Sequence, residues 1–438
     1  KRGGGYKYSF PTWSSRLEAV FPYELYGVAN LGVLGNDLSE SGYTYPEEAD
    51  QPSRLICVPK SAKGPRLIAA EPVANQWVQQ ALCGYLVREI LTHPDALGRG
   101  IAFHRQDLSG ELALRASRDG DYATADLKSA SDRLSCWLVQ RLFRGNFPLM
   151  KAMAACRTRY MYNEVDKKLP SVIELRKFAT MGSALTFPVQ SIVFCIFAIA
   201  SVIFTESYWR GPEINHEKIV QAMSHVRVYG DDIILPVDAL ECLERLLALT
   251  GLVVNAEKTF RGENFRESCG VDAFCGYNVT PVRPRHLPYN DEPGSIIAAV
   301  DTANLLHRRG LWHTAQAMRS LVQLPDKFVA TVGMESGLWG DHSFSSSGKN
   351  KNWILILRGR FVFRYHPELH RYEALLFQPK GKKVVRSRFE GPANLLQYFT
   401  EDPSGQILTN WTSGEVSHSE ASLGKRWVAL EGFDPLEV

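Results

Sequence analysis

The stretch VRVYGDDIILPV, residues 226–237, constrains this fold more than any other. β-Branched and aliphatic residues flank its centre, which predicts two strands buried in a sheet. Gly230 is free to take a positive φ, so the strands are expected to meet in a tight hairpin with Asp231 and Asp232 at its tip. Adjacent carboxylates repel one another and resist desolvation. A solvated turn would tolerate them, because Asp and Gly are common there. The apolar flanks Val226, Val228, Ile233, Ile234 and Leu235 argue against that reading, so the chain must supply a positive partner.

A second acidic stretch, TADLKSASDRLS, spans residues 124–135. Asp126 is expected to end a short strand, and Asp132 follows after five intervening residues at a helix start, where capping alone would explain it. If the two strands are neighbours, Asp126, Asp231 and Asp232 form one cluster. Oxygen ligands without His or Cys suit Mg²⁺, with Mn²⁺ as a substitute, rather than zinc. Two such ions about 3.5–4 Å apart would activate a hydroxyl nucleophile and stabilise a leaving pyrophosphate.

Three further pieces gain meaning beside that cluster. In VPKSAKGPRLI, Lys60, Lys63 and Arg66 recur every third residue around a turn, and together they could clamp a triphosphate. Alone, such a hairpin is merely solvated. MGSALTFPVQS brings Gly182 and Ser183 into the start of a long apolar helix, where small residues allow a nucleotide or template to approach; a plain helix cap is the competing reading. Lys258 in NAEKTF follows an expected strand and could give a proton to departing pyrophosphate.

The bulk properties set bounds. A chain of 438 residues exceeds one ordinary core and suggests two or three subdomains. With 45% apolar and 22% charged residues it is globular, and a net charge of +3 requires any nucleic-acid contact to use local basic patches. Eight cysteines without a CxxC pair suggest reduced thiols in a cytosol-like compartment. The opening KRGGGYKYSF lacks a methionine and reads as a trimmed or partial start. The apolar run 192–204 is shorter than a membrane span of about 20 residues, so a buried core helix is expected.

Strand–turn–strand is expected over 54–72, a helix from Ala74 to Leu91, a strand over 122–127, and a helix from there through Leu142. VDALECLERLLALTG is the clearest helix, with Leu240, Leu243, Leu246 and Leu247 on one face, Asp238 as cap and Gly251 as stop. GLVVNAEKTF reads as a strand, residues 295–323 as two helices parted at Gly310, and 343–351 as a linker. Beyond it WILIL, FVFRY, RYEALLF and KKVVR suggest a small antiparallel sheet, while HPELH reads as a turn rather than a zinc site. Strands and helices alternate without regular βαβ spacing, which favours α+β.

In order, VPKSAKGPR, ATADLKSASDRLS, TMGSALTFPVQS, VYGDDIILP and NAEKTF resemble the motifs of viral RNA-dependent RNA polymerases. IAAEP at 68–72, FRESCG at 265–270 and the Asp126–Asp132 gap narrow the resemblance to the replicases of single-stranded RNA bacteriophages (leviviruses) and their narnavirus-like relatives. The resemblance covers residues 54–285 well and the C-terminal third loosely. It implies a right-hand α+β fold: N-terminal region and fingers over 1–121, palm over 122–135 and 179–284, a fingers insertion over 136–178, and thumb with a C-terminal RNA-binding region over 285–438. It also implies that Asp126 and Asp231 bind the metals, that Asp232 assists, and that Ser131 or Asp132 senses the ribose 2′-hydroxyl. Met181 and Gln190 stand where the broader polymerase pattern has serine and asparagine, a departure the phage replicases share; Gln190 remains a candidate nucleotide contact.

The implied activity is primer-independent RNA synthesis from ribonucleoside triphosphates on a viral RNA template, in the host cytoplasm and without a membrane. Host translation factors are the implied partners of leviviral members. Between Lys351 and Arg388, ten Lys or Arg face two acids, Glu368 and Glu373; this stretch either grips RNA or forms an ordinary sheet with one solvated face. The rival readings are a reverse transcriptase and an inactive palm domain serving as an RNA-binding scaffold.

Overall fold

The computed structural model describes residues 13–27, 50–61, 64–93, 97–163, 165, 168–207, 211, 214–284, 293–322, 329–333, 338–343, 354–355, 362–387 and 415–429. The chain is mixed helix and sheet, and it divides into two compact units, Lys1–Thr280 and Pro281–Val438.

In the first unit α1 (Ser15–Glu18) and α2 (Tyr23–Tyr26) precede a hairpin of β1 (Ser53–Ser61) and β2 (Gly64–Ala70). Next come α3 (Val73–Thr92), α4 (Asp107–Asp119), β3 (Tyr122–Ala125), α5 (Ala130–Arg133), α6 (Cys136–Phe143) and α7 (Phe147–Cys156). β4 (Tyr160–Tyr162) and β5 (Val172–Glu174) lead to α8 (Thr186–Glu206) and α9 (His216–Ser224). The unit ends with β6 (Arg227–Tyr229), β7 (Asp232–Pro236), α10 (Leu240–Leu249), β8 (Phe265–Ser268), β9 (Val271–Phe274) and β10 (Tyr277–Asn278).

The sheet that matters most has the order β3-β7-β6 and is antiparallel throughout. Its side chains alternate between two covered faces. Ala123, Ala125, Val228, Ile233 and Leu235 enter the main core, over which α8 packs. Thr124 and Ile234 are buried on the other face, where β8 lies. Arg266 of β8 is wholly buried there, and its guanidinium donates to the carbonyls of Tyr122 at 2.6 Å and Phe265 at 2.7 Å. Burial on both faces explains the unbroken run IIL in β7. Each such side chain contributes about 1.5–3 kcal/mol.

The 21 residues of α8 are long and apolar enough to cross a membrane by length and composition, so the short run read from the sequence understates this helix. Burial identifies it as a core helix, with 72% of its most apolar window inside the protein.

Several local expectations need correction. The helix expected to run through Leu142 breaks: Leu134 is extended, and Ser135 caps α6 by accepting from the Leu138 N–H at 3.2 Å. Asp238 does not cap α10, because Val237–Ala239 forms a 3₁₀ turn and Ala239 takes the cap position. Leu240, Leu243 and Leu247 are buried as expected, Leu246 is half-buried, and Gly251 follows at φ 77°. GLVVNAEKTF is not a continuous strand. Val254 and Phe260 make isolated bridges to Leu127 and Thr124, and a 3₁₀ turn at Ala256–Lys258 lies between them.

In the second unit α11 (Pro293–Arg308) and α12 (Trp312–Ser320) part at Gly310, as the sequence suggests. β11 (Thr331–Gly333), β12 (Asp341–Ser343) and β13 (Ile354–Leu355) form one small sheet; β14 (Phe363–His366), β15 (Arg371–Ser387) and β16 (Glu415–Ala429) form another. Of WILIL, Ile354 and Leu355 pair with β11 rather than with β14–β16, and RYEALLF and KKVVR belong to a single 17-residue strand. HPELH is a turn between β14 and β15. The expected linker lies mostly outside the described residues, at 344–350. Arg364 and Arg371 both grip the buried Glu373 at 2.7 Å, so part of the basic character of this stretch serves its own sheet.

Candidate active site

At the hairpin end of the central sheet lies a cavity of ≈ 790 Å³. Its position follows from strand register. Tyr229 pairs with Asp232, leaving Gly230 and Asp231 to turn the chain, and Ala125 pairs with Ile233, so Asp126 emerges beside that turn. Gly230 has φ 65° and is buried, and its N–H donates to Ser191 Oγ of α8 at 3.0 Å. A β-carbon there would lie 3.0 Å from the Phe187 ring and 3.3 Å from Gln190 Nε2. The tip is therefore pressed onto α8 and needs glycine.

Asp126, Asp231 and Asp232 all line this cavity, as the adjacency of the strands requires. Asp231 opens into it, whereas Asp232 is half-buried and accepts from the Cys269 N–H at 3.3 Å and Sγ at 3.5 Å. Exclusion of solvent raises both carboxyls above their ordinary range, and neighbouring carboxylates add to it: Asp126 for Asp231, and Asp231 then Asp126 for Asp232, which reaches about 6. Asp231 is exposed to the cavity, so its raised value reflects the surrounding walls rather than full burial. Burial also pushes the Cys269 thiol up to about 12, with Asp232 adding to it.

Asp126 has polar neighbours in Asn255, which precedes the 3₁₀ turn, and Lys258, the last residue of that turn. Asn255 Nδ2 donates to Asp126 Oδ2 at 3.2 Å, and Lys258 Nζ stands 3.7 Å from the same oxygen and 3.8 Å from Glu267. Burial acts to lower the Lys258 pKa, but Glu267, Asp126 and Asp232 outweigh it and hold the ammonium above its usual value.

Ser131, Asp132, Gly182, Ser183, Gln190 and Arg66 also line the cavity. Ser131 and Gln190 are 4% and 7% exposed, and among the described residues Ser131 Oγ and Gln190 Oε1 have no hydrogen-bond partner. Asp132 is exposed and engaged by Lys177 Nζ at 2.5 Å. Gly182 sits at φ 145°, and a β-carbon on it would come within 1.9 Å of the Ala69 carbonyl oxygen. Ser183 Oγ accepts from the Leu185 N–H at 3.3 Å. Lys63 and the side chain of Lys60 lie outside the described residues.

Asn255, Glu267, Cys269 and Lys177 were not foreseen as part of the site. The first three stand inside NAEKTF and FRESCG, so the motifs carried a signal. Lys177 had none, because only the fold brings it to Asp132.

The donor set is all oxygen, and the raised carboxyls call for a cation, which fits a hard divalent ion. Among the described residues, however, no three His, Cys, Asp or Glu side chains are gathered tightly enough to hold a metal as they stand. The chemistry of the donors fits such an ion; a closed ligand cage is not preformed.

This hairpin, its partner strand and the acidic cavity define a class that comparison with known proteins makes specific. Residues 37–287 match the family described as RNA replicase, beta-chain, and the chain belongs to that family. It is 30% identical over 321 residues to the RNA-directed RNA polymerase subunit beta of Escherichia virus Qbeta, covering 69% of this chain and 48% of the relative. It is 33% identical over 227 residues to the RNA-directed RNA polymerase beta chain of Enterobacteria phage fr, covering 52% and 36% respectively. The chain thus spans half or less of the length of these curated relatives. A telomerase structure from Candida albicans aligns at TM-score 0.37 and 10% identity over 64% of this chain and 56% of that one, a score too low to establish a shared fold.

Proposed function

We propose that this chain carries the catalytic centre of an RNA-dependent RNA polymerase, joining ribonucleoside triphosphates on a viral RNA template. The observation that carries this reading is the convergence of Asp126, Asp231 and Asp232 on one cavity together with Lys258 and Arg66, in a member of the RNA replicase beta-chain family. In a right-hand polymerase the β3-β7-β6 sheet would be the palm.

The 3′-hydroxyl oxygen of the growing strand attacks the α-phosphorus of the incoming nucleotide, the bond to the β-phosphate breaks, and pyrophosphate leaves. Asp126 and Asp231 would hold Mg²⁺, or Mn²⁺ in its place, with Asp232 assisting. Bound there, the ions lower the pKa of the hydroxyl and offset charge on the pyrophosphate. Lys258, kept protonated by its acidic neighbours, gives its proton to the leaving pyrophosphate. Arg66 would face the triphosphate as a bidentate phosphate ligand, with Lys60 and Lys63, close to it in sequence, as further phosphate contacts.

Of the two candidates for sensing the 2′-hydroxyl, Ser131 is the better supported. Its hydroxyl is buried at the cavity wall and has no hydrogen-bond partner among the described residues, whereas Asp132 is engaged by Lys177. Gln190 Oε1 is a second unpartnered acceptor on that wall. Primer-independent initiation, host translation factors as partners and a host-cytoplasmic setting, which the motif resemblance implies, complete the proposed reading.

The test is incorporation of labelled ribonucleotides, and separately deoxyribonucleotides, on a defined RNA template without primer. Ribonucleotide incorporation that is lost in Asp231→Asn supports the proposal. Preferential use of deoxyribonucleotides would assign a reverse transcriptase. Intact RNA binding with no incorporation would assign a scaffold.

A further inference from the structure

The carboxylate of Glu71, in the link between β2 and α3, lies outside the cavity but joins three segments, and the one that begins at Thr180 lines it. Thr180 Oγ1 donates to Glu71 Oε1 at 2.8 Å, Gln79 Nε2 donates to Oε2 at 3.2 Å, and Thr158 Oγ1 donates to the same Oε2. Thr158, Thr180 and Gln79 are 5%, 3% and 0% exposed, so these donors have little recourse to water. Among the described residues no Lys or Arg pairs with Glu71, and its charge is met by neutral donors. Hydrogen bonds to a carboxylate are directional as well as stabilising. Glu71 thus supplies geometry, because each donor must point at it.

That geometry is passed to the loop before α8. Thr180 begins the loop, and its carbonyl accepts from Thr186 Oγ1 at 2.6 Å. The Met181 carbonyl accepts from the Ala69 N–H at 2.7 Å, and the Ala184 N–H donates to Gln79 Oε1 at 3.3 Å. The close approach of Gly182 to the Ala69 carbonyl completes the seam. Met181, Gly182 and Ser183 then form part of the cavity wall, and Arg66 lies three residues before Ala69 on the strand to which they are fastened.

We infer that Glu71 is a positioning residue for nucleotide binding: it latches the Thr180–Ala184 wall to β2, so that the wall and Arg66 meet the incoming nucleotide as one rigid surface. This rests on the polymerase reading above. Loss of the latch leaves the carboxylate cluster in place and loosens only the nucleotide's seat, so it acts on KM rather than kcat.

Thr180→Val keeps the shape of the side chain and removes the donor; Thr180→Ser keeps the donor; Glu71→Gln removes the charge. Two measurements are needed: steady-state ribonucleotide incorporation, and amide hydrogen exchange across residues 179–185 compared with the interior of α8. Thr180→Val and Glu71→Gln are expected to raise KM for the nucleotide about tenfold with kcat within about threefold, and to speed loop exchange about tenfold while α8 is unchanged. Thr180→Ser should restore wild-type values. Unchanged loop exchange in both variants, or a fall in kcat at constant KM, would overturn the latch. If the wild type incorporates no nucleotide, the polymerase reading and the role in nucleotide binding fail together, and the exchange data alone decide whether Glu71 fastens the loop.

Discussion

Asp126 is separated from Asp231 by more than a hundred residues, yet strand register alone brings them to one cavity. The acidic residues were legible in the sequence because their spacing and flanks predict strand ends. The bond between Asp132 and Lys177 was not legible, since the lysine stands 45 residues further along the chain. If the three carboxylates hold the catalytic ions, Asp231→Asn should reduce incorporation by about a thousandfold or more while RNA affinity changes little, as measured by single-turnover assay and filter binding. Lys258→Met should lower kcat about 10–100-fold. The sign of its pKa shift adds a second expectation. An ammonium held above its usual value stays protonated through neutral and mildly alkaline pH, so the wild-type rate should not decline there, which a pH–rate profile would check.

Elements with strong periodicity, such as the leucine face of α10 or the run of α8, were legible from side-chain pattern. Breaks and joins were harder to read. α5 stops at Arg133 with Leu134 extended and Ser135 capping the next helix, and β15 runs through two segments that read as separate strands. In both cases a local capping bond or a distant pairing partner outweighs propensity. The seam at Gly182 gives a sharp test at this scale. Gly182→Ala would place a methyl against the Ala69 carbonyl at a φ that L-residues rarely adopt, and it should raise KM for the nucleotide and lower the thermal midpoint together. In the second unit Arg308 Nη2 lies 2.6 Å from His342 Nδ1, tying α11 to β12. Burial, then the Arg308 charge, lowers the His342 pKa below 6.5. The neutral ring is favoured in the folded state, so this contribution is present above the unfolded value and is lost as pH falls through the folded one. Thermal midpoints of the second unit should drop on acidification over that range, and His342→Gln should reduce the drop.

For the whole molecule, the main core and the small cluster around Met161 lie within the first unit, and the other two clusters lie within the second. Each unit has its own core among the described residues, so calorimetry should resolve two transitions rather than one. The cysteines offer a parallel probe. Cys156 and Cys195 are buried with thiols pushed up to about 12, whereas Cys57 is exposed. Alkylation under native conditions should mark Cys57 first and reach the buried pair only on unfolding. Composition predicted more than one body; the resemblance put a boundary after residue 284, and the chain divides between Thr280 and Pro281, at the start of a stretch with prolines at 281, 284, 288 and 293. The two-residue turn at Gly230 and Asp231 also governs how such a chain can change over generations. One residue added or removed there would send Ile233 and Leu235 out of the core and swing Asp232 inward. Insertions and deletions can accumulate in distant surface loops, but at this point the reading frame of the strand leaves lineages no room to drift in length.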